Sequence, residues 1–151
     1  MPKLDLDAVP QTNATGYPPE YASQVQERWY RRLAPPGRLE DFGVSHVELK
    51  PGAWSAQRHW HEEEDEFVIM LAGEAVLVDD SGRTPMRPGD CAAFPKNDGN
   101  GHVLINESDK SCFFIAIGRP AASDCHYPDI DMHLENGRGF RRKDGSDFDW
   151  G

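Results

Sequence analysis

From residue 43 to residue 118 the chain alternates short apolar runs with clusters of turn residues. That texture predicts an all-β sandwich or barrel. Strands are expected near 43–49, 54–61, 66–71, 74–79, 91–94, 102–106 and 111–118. Between them lie Asp79-Asp80-Ser81-Gly82, Arg87-Pro88-Gly89-Asp90, Asn97-Asp98-Gly99-Asn100-Gly101 and Glu107-Ser108-Asp109-Lys110, each supplied with Gly, Asn, Asp or Ser for a turn. Upstream, Tyr21, Val25, Trp29 and Leu33 recur at every fourth position, with Arg28, Arg31 and Arg32 on the other side. This spacing predicts one short amphipathic helix from Pro19 to Leu33, ended by Pro35-Pro36-Gly37. Pro2, Pro10, Pro18 and Pro19 mark the first twenty residues as an extended arm. The charged, Gly-bearing stretch from about Arg138 to Gly151 is expected to be a flexible tail or an arm that orders on a partner.

Composition narrows the class. At 151 residues, 38% hydrophobic and 28% charged, the chain fits one domain with a core sufficient to fold without disulfides. Asp and Glu total 26 against 16 Lys and Arg, for a net charge of -10. Such a surface repels phosphate backbones and anionic lipid, which argues against nucleic acid and membrane partners. The longest apolar run, Phe67 to Ala72, is far short of the roughly 20 residues a membrane span requires. No basic start followed by an apolar segment opens the chain, and a cytoplasmic protein is expected. Cys91, Cys112 and Cys125 form no CxxC pair and suit reduced, packing thiols.

The candidate chemistry is concentrated after Gly52. His59 and His61 stand at i and i+2, so on a strand they project from one face and can grip a single ion. Five carboxylates follow in Glu62 to Glu66, and Glu66 falls in phase with Val68 and Met70, facing inward. A hairpin would bring Glu66 to the two histidines. Beyond a glycine-rich turn, His102 opens another strand and supplies a third imidazole. Three neutral imidazoles and one carboxylate suit a divalent first-row metal, with Fe, Mn, Ni, Zn and Cu all chemically possible. A six-coordinate ion on His59, His61, Glu66 and His102 would leave two positions open, at a local charge of about +1. Ligands that chelate through carboxylate, enolate or vicinal hydroxyl oxygens are then favoured. His46 and Glu48 share one strand face and are read as a solvated edge. Trp60 should point away from the histidines. Asp124, Cys125, His126 and Tyr127 either fold over the barrel mouth and offer a proton donor or anchor the C-terminal segment, and the anchor is the preferred reading.

In this pattern the chain resembles the cupin superfamily. His59, His61, Glu66 and Gly73 match the first cupin motif, with Gly52 one residue further from His59 than usual. Gly89, Pro95, Gly99, His102 and Asn106 match the second, with two extra residues between Pro95 and Gly99. The runs at 59–67, 87–95, 99–102 and 126–131 resemble single-domain bacterial cupins of unassigned activity. The resemblance implies a small double-stranded β-helix, or jelly-roll barrel, with the metal inside and a homodimer as the common assembly. The expected organisation is an arm and short helix at 1–40, the barrel at 41–120 and a C-terminal arm at 121–151. Dioxygenase, isomerase and lyase chemistry on a small oxygen-rich or carboxylated molecule are all compatible with this ligand set, and so is a non-catalytic module that binds or senses a small ligand.

Overall fold

A computed structural model of the chain describes residues 2–151. Its strands are β1 (Arg28–Arg32), β2 (Gly43–Leu49), β3 (Trp60–His61), β4 (Glu66–Ala72), β5 (Ala75–Asp79), β6 (Gly82–Met86), β7 (Cys91–Phe94), β8 (Val103–Ile105), β9 (Cys112–Gly118), β10 (Cys125–His126), β11 (His133–Glu135) and β12 (Gly139–Arg141). They form sheets of order β1-β2-β9-β4-β7, β12-β11-β10-β3 and β6-β5-β8. The result is the all-β jelly roll that the sequence predicts.

Period-two alternation sorts the five-stranded sheet into two faces. Register sets Tyr30 beside Val47, Val47 beside Phe114 and Phe114 beside Met70, and these residues form one inward row. Leu49, Val68, Met70, Cys112 and Phe114 are buried and pack against Ala75, Met86 and Leu104 from the opposing β6-β5-β8 sheet. Each fully buried Leu or Met contributes about 1.5–3 kcal/mol, which makes this interface the main source of stability. At the end of β4 the chain turns through Gly73, whose φ is +71°. A Cβ there would lie 2.6 Å from the Ser111 carbonyl oxygen, so the close pass over β9 requires glycine.

The expected helix over Pro19–Leu33 does not form. Short 3₁₀ turns at Pro19–Tyr21 and Ser23–Val25 give way to β1, which pairs along its whole length with β2. The four-residue spacing of Tyr21, Val25, Trp29 and Leu33 coexists with an Arg28/Tyr30/Arg32 alternation, and the free edge of β2 decides in favour of the strand. A single turn of helix, α1 (Ala34–Gly37), occupies the segment read as the helix stop. Pro35 and Pro36 lie in its first turn, where no intrahelical N–H is needed, and Arg38 closes it at φ 54°.

Three further differences come from long-range pairing. The expected strand 54–61 is reduced to β3, preceded by isolated bridges of Trp54 with Ile105 and His59 with His102. Strand β6 carries Pro85 and exposed polar residues, an edge-strand composition with little apolar signal. At the C-terminal end β10, β11 and β12 join β3 in one sheet, and Phe148 is buried with Cys125, Tyr127 and Met132. The stretch beyond Arg138 is therefore ordered on its own chain. His46 and Glu48 do share a face, but on β2 in the middle of a sheet rather than at an edge. The His46 ring packs near Phe113, and Glu48 accepts hydrogen bonds from Gln11 and Ser111.

Candidate metal centre

The local pairing of two histidines builds the centre. His59 and His102 face each other across an antiparallel bridge, with His102 N–H donating to the His59 carbonyl at 2.9 Å and His59 N–H returning to the His102 carbonyl at 3.2 Å. His61 follows two residues later on β3, and Glu66 begins β4. All four side chains converge. Glu66 Oε1 lies 2.8 Å from His61 Nε2, 3.3 Å from His102 Nε2 and 3.5 Å from His59 Nε2.

The separations from Glu66 Oε1 are those of ligand atoms around one ion. His59, Glu66 and His102 offer ligand atoms within 4.8 Å of one another, while His61 is grouped at that limit with His59 and Cys125. Bonds of about 2.1 Å place neighbouring ligand atoms about 3 Å apart at right angles and about 3.4 Å apart at tetrahedral angles. Glu66 Oε1 is also buried without a well-formed hydrogen bond, as are His61 Nδ1 and His102 Nδ1. Orphaned buried acceptors are costly, and a cation among the Nε2 atoms would satisfy this one. His59 Nδ1 is 2.8 Å from the Gln57 carbonyl. That bond places its proton on Nδ1 and leaves the Nε2 lone pair for a metal.

Neighbouring residues hold the frame. The His102 ring stacks on Phe94. Arg58 forks onto Asp129 with two bonds of 2.8 Å, and also reaches Asp80 and the Gly101 carbonyl, which ties down the residues just before His59 and His102. The acidic run divides its labour: Glu62 bonds His126, buried Glu64 accepts from Ala122 N–H and Ser123, Asp65 accepts from Lys96 N–H, and only Glu66 enters the centre. Trp60 turns away, stacking on His126 with 4.1 Å between ring centroids.

Electrostatics follow from this packing. Burial works against the Glu66 carboxylate, yet the surrounding His102, His59 and His61 hold it well below the usual carboxylate range. Burial likewise disfavours protonated His61, but Cys125 and Glu66 outweigh it and raise the imidazole to about 10. His102 is lowered by burial, with Glu66 opposing. Ligation of a cation through His61 would require that imidazole to give up its proton.

Sequence reasoning missed several residues here. Cys125, read as an anchor, pairs in register with His61, and its Sγ lies within 4.8 Å of ring nitrogens of His59 and His61. Tyr127 packs 5.8 Å from the His59 ring. Gln57 acts through its main-chain carbonyl, and Phe94 through a contact between sheets, neither of which leaves a motif. The centre opens on a cavity of about 680 Å³ that reaches Tyr17, Arg28, Tyr30 and Phe114.

A family profile described as the cupin domain matches residues 45–118. A crystal structure of a sugar phosphate isomerase of the cupin superfamily from Silicibacter pomeroyi is 43% identical, with 98% of this chain and 97% of that one covered at a TM-score of 0.92. The chain belongs to the cupin superfamily. This cupin is also similar to a candidate sugar phosphate isomerase from Acidithiobacillus ferrooxidans, at 25% identity, 81% and 79% coverage and a TM-score of 0.71. A polyketide cyclase from Streptomyces resistomycificus, 21% identical over 78% of each chain with a TM-score of 0.64, shares the fold. No functionally curated protein matches the sequence. No helix among the described residues is long and apolar enough to cross a membrane.

Proposed function

We propose that this cupin is a metal-dependent isomerase that interconverts aldose and ketose forms of a small phosphorylated sugar. The observation that carries the reading is the convergence of His59, His61, His102 and Glu66 at one end of a cavity large enough for such a molecule. Similarity over nearly the whole length to a sugar phosphate isomerase supports the choice of reaction. The four side chains would hold one Fe, Mn, Ni, Zn or Cu ion. When bound, that ion supplies a Lewis acid for the carbonyl and adjacent hydroxyl oxygens of an open-chain sugar.

The chain's own residues do the remainder. Buried Phe114, Val68 and Leu104 line the cavity and keep water from the reacting carbons. Tyr127 is pushed well above its ordinary value by burial, with Tyr17 and Cys125 adding to the effect. Its hydroxyl therefore keeps its proton, beside Tyr17 and Cys125. Tyr17 accepts the Gln57 N–H at 3.1 Å, which fixes the pair of tyrosines beside His59.

A homodimer and a cytoplasmic location belong to the same proposal. Phe67 and Leu71, 36% and 47% exposed on the outer face of β4, offer an apolar surface to a second copy. The free thiols Cys91, Cys112 and Cys125 suit a reducing compartment. Light scattering tests the dimer. The reaction is tested by measuring metal content in protein purified without chelator, for wild type and His61→Ala, and then following a panel of aldose and ketose phosphates by NMR. About one ion per chain, lost in the variant, with interconversion of a panel member, is the expected result. Saturable binding of sugar phosphates without turnover would replace the enzyme by a ligand-binding module, and absence of metal after reconstitution would remove the metal-dependent enzyme and leave a ligand-binding barrel.

A further inference from the structure

Arg28, Tyr30 and Arg32 alternate along β1, and register sets them beside Leu49, Val47 and Ser45 on the inward face of the five-stranded sheet. They therefore line the same cavity as His59, Glu66 and His102. The Arg28 guanidinium donates through Nη1 to the Ser55 carbonyl at 3.0 Å and through Nη2 to the Ala14 carbonyl at 3.2 Å. Its Nε is buried with no partner. A guanidinium carries five N–H donors, so donors remain for a ligand.

The absence of a carboxylate partner, together with a place in the cavity wall, sets Arg28 and Arg32 apart. Arg58, Arg83, Arg87, Arg138, Arg141 and Arg142 each lie against a carboxylate. Among the described residues Arg28, Arg31, Arg32, Arg38 and Arg119 have no acidic partner within ion-pair distance, and of these only Arg28 and Arg32 line the cavity. The cavity lining holds two carboxylates, Glu66 of the candidate metal centre and exposed Glu40. Buried charges are normally paired, and a cavity that leaves a half-buried guanidinium unpaired is built for an anion from outside. Burial draws Arg28 down from its ordinary value while Tyr17 and Tyr30 hold it up, and a guanidinium in such surroundings keeps its charge. The Tyr30 ring separates the two cations, 5.1 Å from Arg28 and 5.6 Å from Arg32, and its hydroxyl is anchored to the Ala14 carbonyl at 2.8 Å.

We propose that Arg28, assisted by Arg32 at the rim, binds the phosphomonoester of the substrate while its carbonyl end lies at His59, His61, Glu66 and His102. The identity of the remainder of that substrate rests on the isomerase reading; the anion subsite rests on β1. Arg32 is level with Ser45, Ala116 and Val68, so about 14 Å of sheet lies between it and β4 before the long side chains reach inward. Arg28, further along β1, is held to the Ser55 carbonyl on the segment that leads to His59. One small extended molecule spans what is left. The planar fork of Arg28 suits a phosphate's oxygens, which a point charge would hold less well.

The test uses metal-loaded protein and glycerol 3-phosphate, which has a phosphomonoester but no carbonyl to isomerise, with glycerol as the control. Calorimetry should show wild type binding glycerol 3-phosphate and not glycerol. Arg28→Gln should weaken that binding at least tenfold, and exposed Arg32→Gln about threefold, with metal content unchanged in both. Unchanged affinity in Arg28→Gln overturns the proposal, as does equal binding of glycerol and its phosphate by wild type. Should Arg28→Gln fail to fold, Arg28→Lys and Arg32→Gln decide, and unchanged affinity in both overturns it. Arg28-dependent binding without turnover on any sugar phosphate would remove the isomerase reading and leave the subsite; turnover with Arg28-independent binding would do the reverse.

Discussion

The ring of His102 lies flat on that of Phe94, with 3.6 Å between centroids and 4° between planes. Phe94 is also the cross-strand partner of Glu66. One aromatic side chain thus touches an imidazole carried in from the opposite layer and stands beside the carboxylate that completes the centre. The His102 Nδ1 has no hydrogen-bond partner, so this stack, rather than an outer carboxylate or carbonyl, sets the ring's orientation.

Phe94→Leu keeps an apolar side chain but removes the flat face. Metal affinity should fall by about tenfold, the lower end of what losing an orienting neighbour costs. The melting temperature of the metal-free protein should shift little, because β7 still pairs with β4. A competitive metal titration on both proteins checks it. Equal affinities would mean that the backbone bridge to His59 alone fixes His102.

Asn106 is fully buried, and its amide donates to the Leu49 and Lys110 carbonyls at 2.7 Å each while its Oδ1 accepts from Ser108. The second-motif asparagine is thus a clasp joining the ends of β2, β8 and β9, remote from the metal ligands. Asn106→Ala leaves two carbonyls without donors and should cost about 2–4 kcal/mol. Urea denaturation measures the loss. Metal stoichiometry in the folded fraction should stay at the wild-type value, which separates a clasp from a ligand.

What could be read from the sequence was local, and what could not depends on distant pairing. His59 and His61 share a face because alternation needs only a short extended segment, and Glu66 follows in phase with Val68 and Met70. His102 was visible because a glycine-rich turn precedes it. Arg28 reads as the polar side of a helix, since nothing near it in sequence shows that Leu49 is its neighbour. Cys125 lies beside His61 only after β10 returns to β3, a pairing with no counterpart in spacing. The five carboxylates of 62–66 look alike in sequence, and their separate roles are set by Ser123, Lys96 and His126, contributed by later segments.

Gly73 tests the close pass between β4 and β9. Any Cβ at this position meets the Ser111 oxygen at 2.6 Å and Cys112 Cα at 2.8 Å, both backbone atoms, and φ is +71°. Gly73→Ala should destabilise by more than the roughly 1 kcal/mol expected for left-handed geometry alone. Gly52 at φ +87° has open space around it, so Gly52→Ala should show the conformational part alone. The difference between the two urea midpoints isolates the steric part, and equal losses would remove it.

Asp129 gives the pH dependence with a defined sign. The Arg58 fork holds its carboxyl below the usual range, with burial opposing. A carboxylate whose folded value is depressed adds stability that is fully present above its unfolded value and is lost as pH falls through the folded one. Asp129→Asn should therefore lower the urea midpoint at pH 7. The gap from wild type should begin to close below about pH 4, where free carboxyls protonate, and vanish once the folded Asp129 is protonated as well. The Asp129 side chain is 58% exposed, so the effect is screened and should shrink further in high salt. Arg58 keeps Asp80 and the Gly101 carbonyl in the variant, which preserves the approach to His59 and leaves metal stoichiometry unchanged. A gap that stayed constant from neutral pH to pH 2 would show that Asp129 acts through packing and not through its charge.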